Sequence, residues 1–174
     1  MESLQYPIGK FVRLEQYDQA HLDSSIQEID QLPDELELVS QSLSPAQWQT
    51  PYRDGGWTLS QVVHHVADSH SQAFLRFKWA LTEHHPVIKP YHQDAWAALP
   101  DNEANPLDSL LIIKGVHRRW VVLMKRMKDE DWLKGYFHPE QGRLVTLSEA
   151  VSLYAWHSKH HLSHLKLVIE NNKS

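Results

Sequence analysis

Cysteine is absent from all 174 residues. That excludes disulfides, thiolate metal ligands and a cysteine nucleophile. No apolar run approaches the roughly 20 residues that a bilayer-spanning helix needs. No basic stripe is present either. The formal charge is −5 with the charges scattered, which argues against nucleic acid as a partner. The opening Met1-Glu2-Ser3-Leu4-Gln5-Tyr6 lacks a basic n-region and an apolar core, so no signal peptide is read and a cytoplasmic location is expected. The length fits one domain over 1–174, long enough to bury a real core. What the chain has in excess is histidine, with thirteen residues. Metal binding without cysteine has to draw on these, together with carboxylates.

Four long helical patterns are visible, with no strand-rich region. The first runs from about Asp18 to Leu43 and contains Pro33. Proline costs roughly 3 kcal/mol inside a helix, so a helix start near Pro33 or a kink there is expected. Ser44-Pro45-Ala46-Gln47 predicts a short capped turn. The second long helix opens on a capping box, Thr58-Leu59-Ser60-Gln61, and runs to about Leu81. Glu83 to Asn105, with Pro86, Pro90 and Pro100, reads as a long crossover. The third helix runs from Pro106 or Leu107 to Met127. Tyr136-Phe137-His138 and Arg143-Leu144-Val145 predict a small hairpin. The fourth helix opens on a second capping box, Thr146-Leu147-Ser148-Glu149, and reaches about Asn171. The fold class is therefore all-α, a four-helix bundle with one long crossover and one small hairpin.

The segment Trp156-His157-Ser158-Lys159-His160-His161-Leu162-Ser163-His164 places four histidines within eight residues. On a helix, partners four apart stack on one face, so His157/His161 and His160/His164 each supply half of a metal site. The apolar residues Leu147, Val151, Tyr154, Leu162, Leu165, Val168 and Ile169 define the inward arc. His161 lies about 40° and His157 about 80° from its centre; His164 lies about 100° and His160 about 140° away. His157 and His161 therefore point inward, and His164 sits on the boundary, suited to a pocket role. His160 is expected to face solvent with no role. On the second helix, periodicity places His70 near the centre of the apolar arc, with His64 and His65 flanking it by roughly 130°. His70 is the natural hydrogen-bonded core histidine. Periodicity alone leaves the third ligand open among the three.

The chain resembles the DinB-like metal-binding four-helix-bundle superfamily, in its YfiT/BstA branch of metal-dependent hydrolases. The resemblance runs from Tyr6-Pro7-Ile8-Gly9 to the last helix. It is carried by Thr50-Pro51-Tyr52-Arg53-Asp54-Gly55-Gly56-Trp57-Thr58, by Gln61-Val62-Val63-His64-His65-Val66-Ala67-Asp68-Ser69-His70, by His117-Arg118-Arg119-Trp120 and by Trp156-His157 through His161. In that superfamily the histidine eight positions after the tryptophan that opens the second helix is a ligand, which corresponds to His65. The resemblance thus implies a metal set of His65, His157 and His161. It also implies one divalent metal per chain and a homodimer; imidazole donors make zinc the first choice of ion, with nickel competing by intrinsic affinity. At His92 the family often carries an acidic residue.

A metal on three imidazoles keeps positions open for water or substrate and can lower the pKa of bound water toward about 7. Hydrolysis of a small molecule is the first chemical expectation. The second is transfer of a low-molecular-weight thiol such as bacillithiol to an electrophile, because a coordinating thiol ionises readily. A non-catalytic, metal-binding stress-response bundle is the third, supported by the lack of an obvious general base. Candidate catalytic assistants are His117 and His164. His117 and Arg53 or Asp54 are candidates to line the mouth, although Asp54-Gly55-Gly56 more simply shapes a turn. Trp57 and Trp156 are expected as core aromatics, and His84, His85 and His138 as exposed loop residues, while His92 either alters the chemistry of a pocket covered by the crossover or is exposed with no role.

Overall fold

A computed structural model describes residues 2–171. A single helical turn, α1 (Glu2–Gln5), precedes the first long helix, α2 (Gln19–Ser40). The short α3 (Pro45–Trp48) leads to α4 (Leu59–Thr82), and both are closed by capping boxes, from Ser44 and Thr58. The crossover holds α5 (Gln93–Ala97) and a 3-10 turn (Pro100–Glu103). Then come α6 (Pro106–Met124), the short α7 (Asp129–Trp132), β1 (Gly135–His138), β2 (Arg143–Thr146) and α8 (Leu147–Asn171). The four long helices and the hairpin stand where the sequence predicts them, except that α2 stops three residues before Leu43 and α6 three before Met127.

Around the bundle the order is α2, α8, α4, α6, each packing on the next and α6 closing on α2. Of the long helices consecutive in the chain, α2 with α4 and α6 with α8 sit across the diagonal, whereas α4 and α6 are neighbours. Every helix therefore has two neighbours and buries a broad face. Two apolar clusters fill the interior. One contains Ile29, Phe77, Trp120 and Val151; the other contains Leu36, Val63, Ile113 and Leu165. Between them lies a layer of buried histidines.

Pro33 neither starts α2 nor divides it; the helix continues through it with Ile29, Leu32, Pro33 and Leu36 all buried. Proline removes one backbone donor and leaves the carbonyl four residues earlier without its helical partner. Here that carbonyl is Ile29 O, and it receives a hydrogen bond from another helix instead.

The hairpin pairs Gly135 with Thr146 and Tyr136 with Val145. A Cβ at Gly135 would fall on the Val145 carbonyl. Gly135→Ala is therefore expected to cost about 2 kcal/mol or more by forcing the strands apart. A denaturant melt that matches the wild type would show that the hairpin yields freely.

Candidate metal centre

His65 on α4 and His157 and His161 on α8 meet where these two neighbouring helices face each other. The Nε2 atom of His157 lies 3.2 Å from His65 Nε2 and 3.1 Å from His161 Nε2. Ligands at the usual zinc–imidazole distance stand about 3.3 Å apart around a tetrahedral ion. The donor set fits a divalent metal in both spacing and chemistry, and all three rings can offer the same ring atom.

Two buried hydrogen-bond chains fix which nitrogen is offered. A carbonyl only accepts, so the proton on His117 must be on Nδ1, which donates to Ile29 O at 2.6 Å. In the neutral ring His117 Nε2 then accepts, and His70 Nδ1–H donates to it at 2.8 Å. His70 Nε2 accepts in turn, and His157 Nδ1–H donates to it at 2.9 Å. His157 is left with its Nε2 lone pair directed at the cluster. The second chain is shorter. His164 Nε2–H donates to Gln5 O at 3.2 Å, so its Nδ1 accepts from His161 Nδ1–H at 3.3 Å. His161 too presents its Nε2 lone pair. The first chain takes one member from each long helix, which ties ligand orientation to the packing of the whole bundle.

Burial keeps these rings uncharged. It lowers His65, with the His160 charge as a smaller cause, and it lowers His117, His160 and His164, all four to about 4. His70, His157 and His161 are pushed well below their ordinary range, by burial first and then by a neighbouring histidine, His117 for His70, His65 for His157 and His157 for His161. Neutral imidazole is the metal-binding form, so at pH 7 there is no proton to displace. A stability consequence follows. In the unfolded chain each ring titrates near 6.5. Between that pH and about 4 the unfolded chain binds more protons. The metal-free protein should therefore keep its full stability above about pH 6.5 and lose it on acidification, by up to about 1.4 kcal/mol per pH unit per ring. Denaturant melts at pH 7, 6 and 5 check this, and equal midpoints would refute it.

The cluster lies between two cavities. One, of about 570 Å³, is lined by Tyr52, Arg53, Trp57, His160 and His164 besides the three clustered histidines. The other, of about 480 Å³, also reaches His65 and His157. Trp57 leans on His65 with ring centroids 4.8 Å apart, and Tyr52 stacks on His164 at 3.9 Å.

Several sequence expectations change. His160 is buried, stacked on Trp156 at 4.6 Å with Tyr6 at 5.8 Å. The N-terminal segment packs over the face that periodicity assigns to solvent, and Gly9 O there accepts from Trp156 Nε1. His117 does not reach the mouth. It is buried in the bundle with both ring nitrogens bonded. His138 is half-buried against the second cavity rather than exposed. Trp57 and Trp156 are only partly buried and cover the site rather than filling the core. His64 bonds Ser109 and Ala104 O, fastening α4 to the end of the crossover. Arg53 lines a cavity as expected, while Asp54 is exposed in the turn before Gly55, whose φ of 64° requires glycine. His84 and His85 are exposed; His92 is exposed too, but it lines the second cavity with His65 and His157. The tautomer-setting carbonyls of Ile29 and Gln5 have no side-chain signature, although a proline inside a helix does mark a freed carbonyl four residues back.

A four-helix bundle with three imidazoles converging between two of its helices is the architecture of a metal-binding bundle. The chain belongs to the DinB superfamily, whose family model matches residues 28–165. It is 46% identical over 173 residues to a protein of Bacillus pumilus (strain SAFR-032), covering 99% of each chain. It is 41% identical over 164 residues to YfiT of Bacillus subtilis (strain 168), covering 94% of this chain and 92% of YfiT. The YfiT structure, described as a probable metal-dependent hydrolase with an unusual four-helix bundle topology, superimposes with a TM-score of 0.95, covering 98% of each chain.

Proposed function

We propose that this protein is a metal-dependent hydrolase acting on a small molecule in the cytoplasm, with one divalent ion held by His65, His157 and His161. Zinc is the first choice of ion and nickel the competitor, since both suit imidazole donors. The observation that carries the reading is the convergence of three neutral rings, with two Nε2 pairs at 3.1 and 3.2 Å, between open cavities. The names of the relatives point the same way. A bound ion would supply Lewis acidity and activate water toward attack on a carbonyl or similar centre. The chain's own groups hold and orient. His70 and His164 fix the ligand rings, and Trp57 and Tyr52 shield them from bulk water.

The test is a paired screen of the metal-loaded protein. One arm offers ester and amide substrates alone; the other offers electrophiles with and without a low-molecular-weight thiol such as bacillithiol. Turnover of an ester or amide without thiol, lost in His161→Ala, is the expected result. Turnover that requires thiol would replace hydrolysis by thiol transfer. Silence in both arms, with the metal bound, would favour the non-catalytic bundle. We also propose a homodimer. Sedimentation at micromolar concentration that shows only a 20.3 kDa species would remove it.

A further inference from the structure

The second cavity contains a charge that the metal reading leaves without a purpose. Arg76, on α4, is 7% exposed and lines this cavity together with His65 and His157. Among the described residues no carboxylate pairs with its guanidinium. Its close neighbour is the uncharged Tyr136, whose ring lies 5.9 Å away and whose hydroxyl accepts a hydrogen bond from it. The Arg76 Nε atom is buried without a hydrogen-bond partner, and so is Nδ1 of His138, which lines the same cavity. Burying an unpaired cation and orphaned donors is costly. Such an arrangement persists when a ligand completes it.

We infer that Arg76, with His138 beside it, is the subsite for a carboxylate on the substrate. This rests on the metal centre as the place of reaction and names the class of molecule it would act on. A guanidinium matches a planar carboxylate through two parallel N–H···O bonds. One cation balances one negative charge. Glu140 and Asp94 also line this cavity; their charge repels a phosphate dianion more than a carboxylate monoanion, and neither is in ion-pair contact with Arg76. Arg76 follows His65 by eleven residues, about 16 Å along the helix axis, and its side chain leans back toward the helix N-terminus. The substrate is therefore elongated, with its carboxylate several bonds from the reacting group.

The probe is 4-phenylbutyrate, with 4-phenylbutyramide as the uncharged control of equal shape. Calorimetry or NMR titration is run on the metal-loaded protein and on the same protein after chelation. The acid is expected to bind wild type at least about 10-fold more tightly than the amide, a difference of about 1.4 kcal/mol, in both metal states. Arg76→Met should erase that preference and leave amide binding unchanged, and Arg76→Lys should keep only part of it. Without ligand, Arg76→Met should melt at or above the wild-type temperature, because it removes an unpaired buried charge. Equal binding of acid and amide to wild type would overturn the assignment. So would a preference that vanishes on chelation, since the metal would then be holding the carboxylate. Unfolding of Arg76→Met, with Arg76→Lys binding the acid as wild type does, would assign the residue to the scaffold. The metal centre is judged separately, by metal content in His161→Ala.

Discussion

Alanine at His157 or His161 is expected to reduce bound metal from about one ion per chain to near none after dialysis, since a three-ligand site that loses one donor keeps only two. Both residues lie on one face of α8, and their Nε2 atoms are 3.1 Å apart. His160 and His164 form a second three-histidine group with His161 that could hold an ion, so residual metal in His157→Ala would point there. His164 already spends its Nδ1 on His161 and its Nε2 on Gln5 O. His65→Ala should behave in the same way, because its Nε2 is 3.2 Å from that of His157. Metal analysis of the purified variants reads the result. Full retention in either α8 variant would remove the proposed centre. Retention in His65→Ala with loss in His70→Ala would move the third ligand to His70.

His70→Ala is expected to damage both stability and metal affinity, although His70 is not assigned as a ligand. The ring is fully buried between the two apolar clusters and accounts for a bond on each side. Its removal leaves a cavity and orphans His117 Nε2 and His157 Nδ1. The combined cost is about 4 kcal/mol, or a drop of roughly 8–16 °C in Tm for a domain of this size. His157 also loses the acceptor that fixes its tautomer, which should weaken metal binding about 10- to 100-fold. Nitrogen NMR of the metal-free wild type gives an independent readout, with His157, His70 and His117 all protonated on Nδ1. Protonation of His157 on Nε2 would contradict the chain. A variant that melts lower but binds metal as tightly as wild type would limit His70 to packing.

How far the site was legible in the sequence depends on the kind of signal each residue carried. His157 and His161 could be placed because an i,i+4 pair on a long unbroken helix has a definite phase against the apolar arc. His65 could not be placed by phase, because α4 buries residues on more than one side against both α6 and α8; the family resemblance singled it out. His160 was misread because a helical wheel knows nothing of a segment that lies far away in sequence. Tyr6 and Gly9 cover that face from about 150 positions upstream. Pro33 was read through its local cost alone. The carbonyl that it frees, Ile29 O, finds its donor in the Nδ1–H of His117, 88 residues away.

Local chemistry in the sequence determined the four helices, their caps, the hairpin and the inward pair on α8, because periodicity and capping act within a few residues. The tertiary structure alone decided the diagonal placement of α2 with α4 and of α6 with α8, the N-terminal cover over His160 and the two hydrogen-bond chains. It alone showed that Arg76 is buried without an ionic partner among the described residues. Each of these depends on which groups from distant segments meet in an interior where every polar atom must find a partner or remain costly.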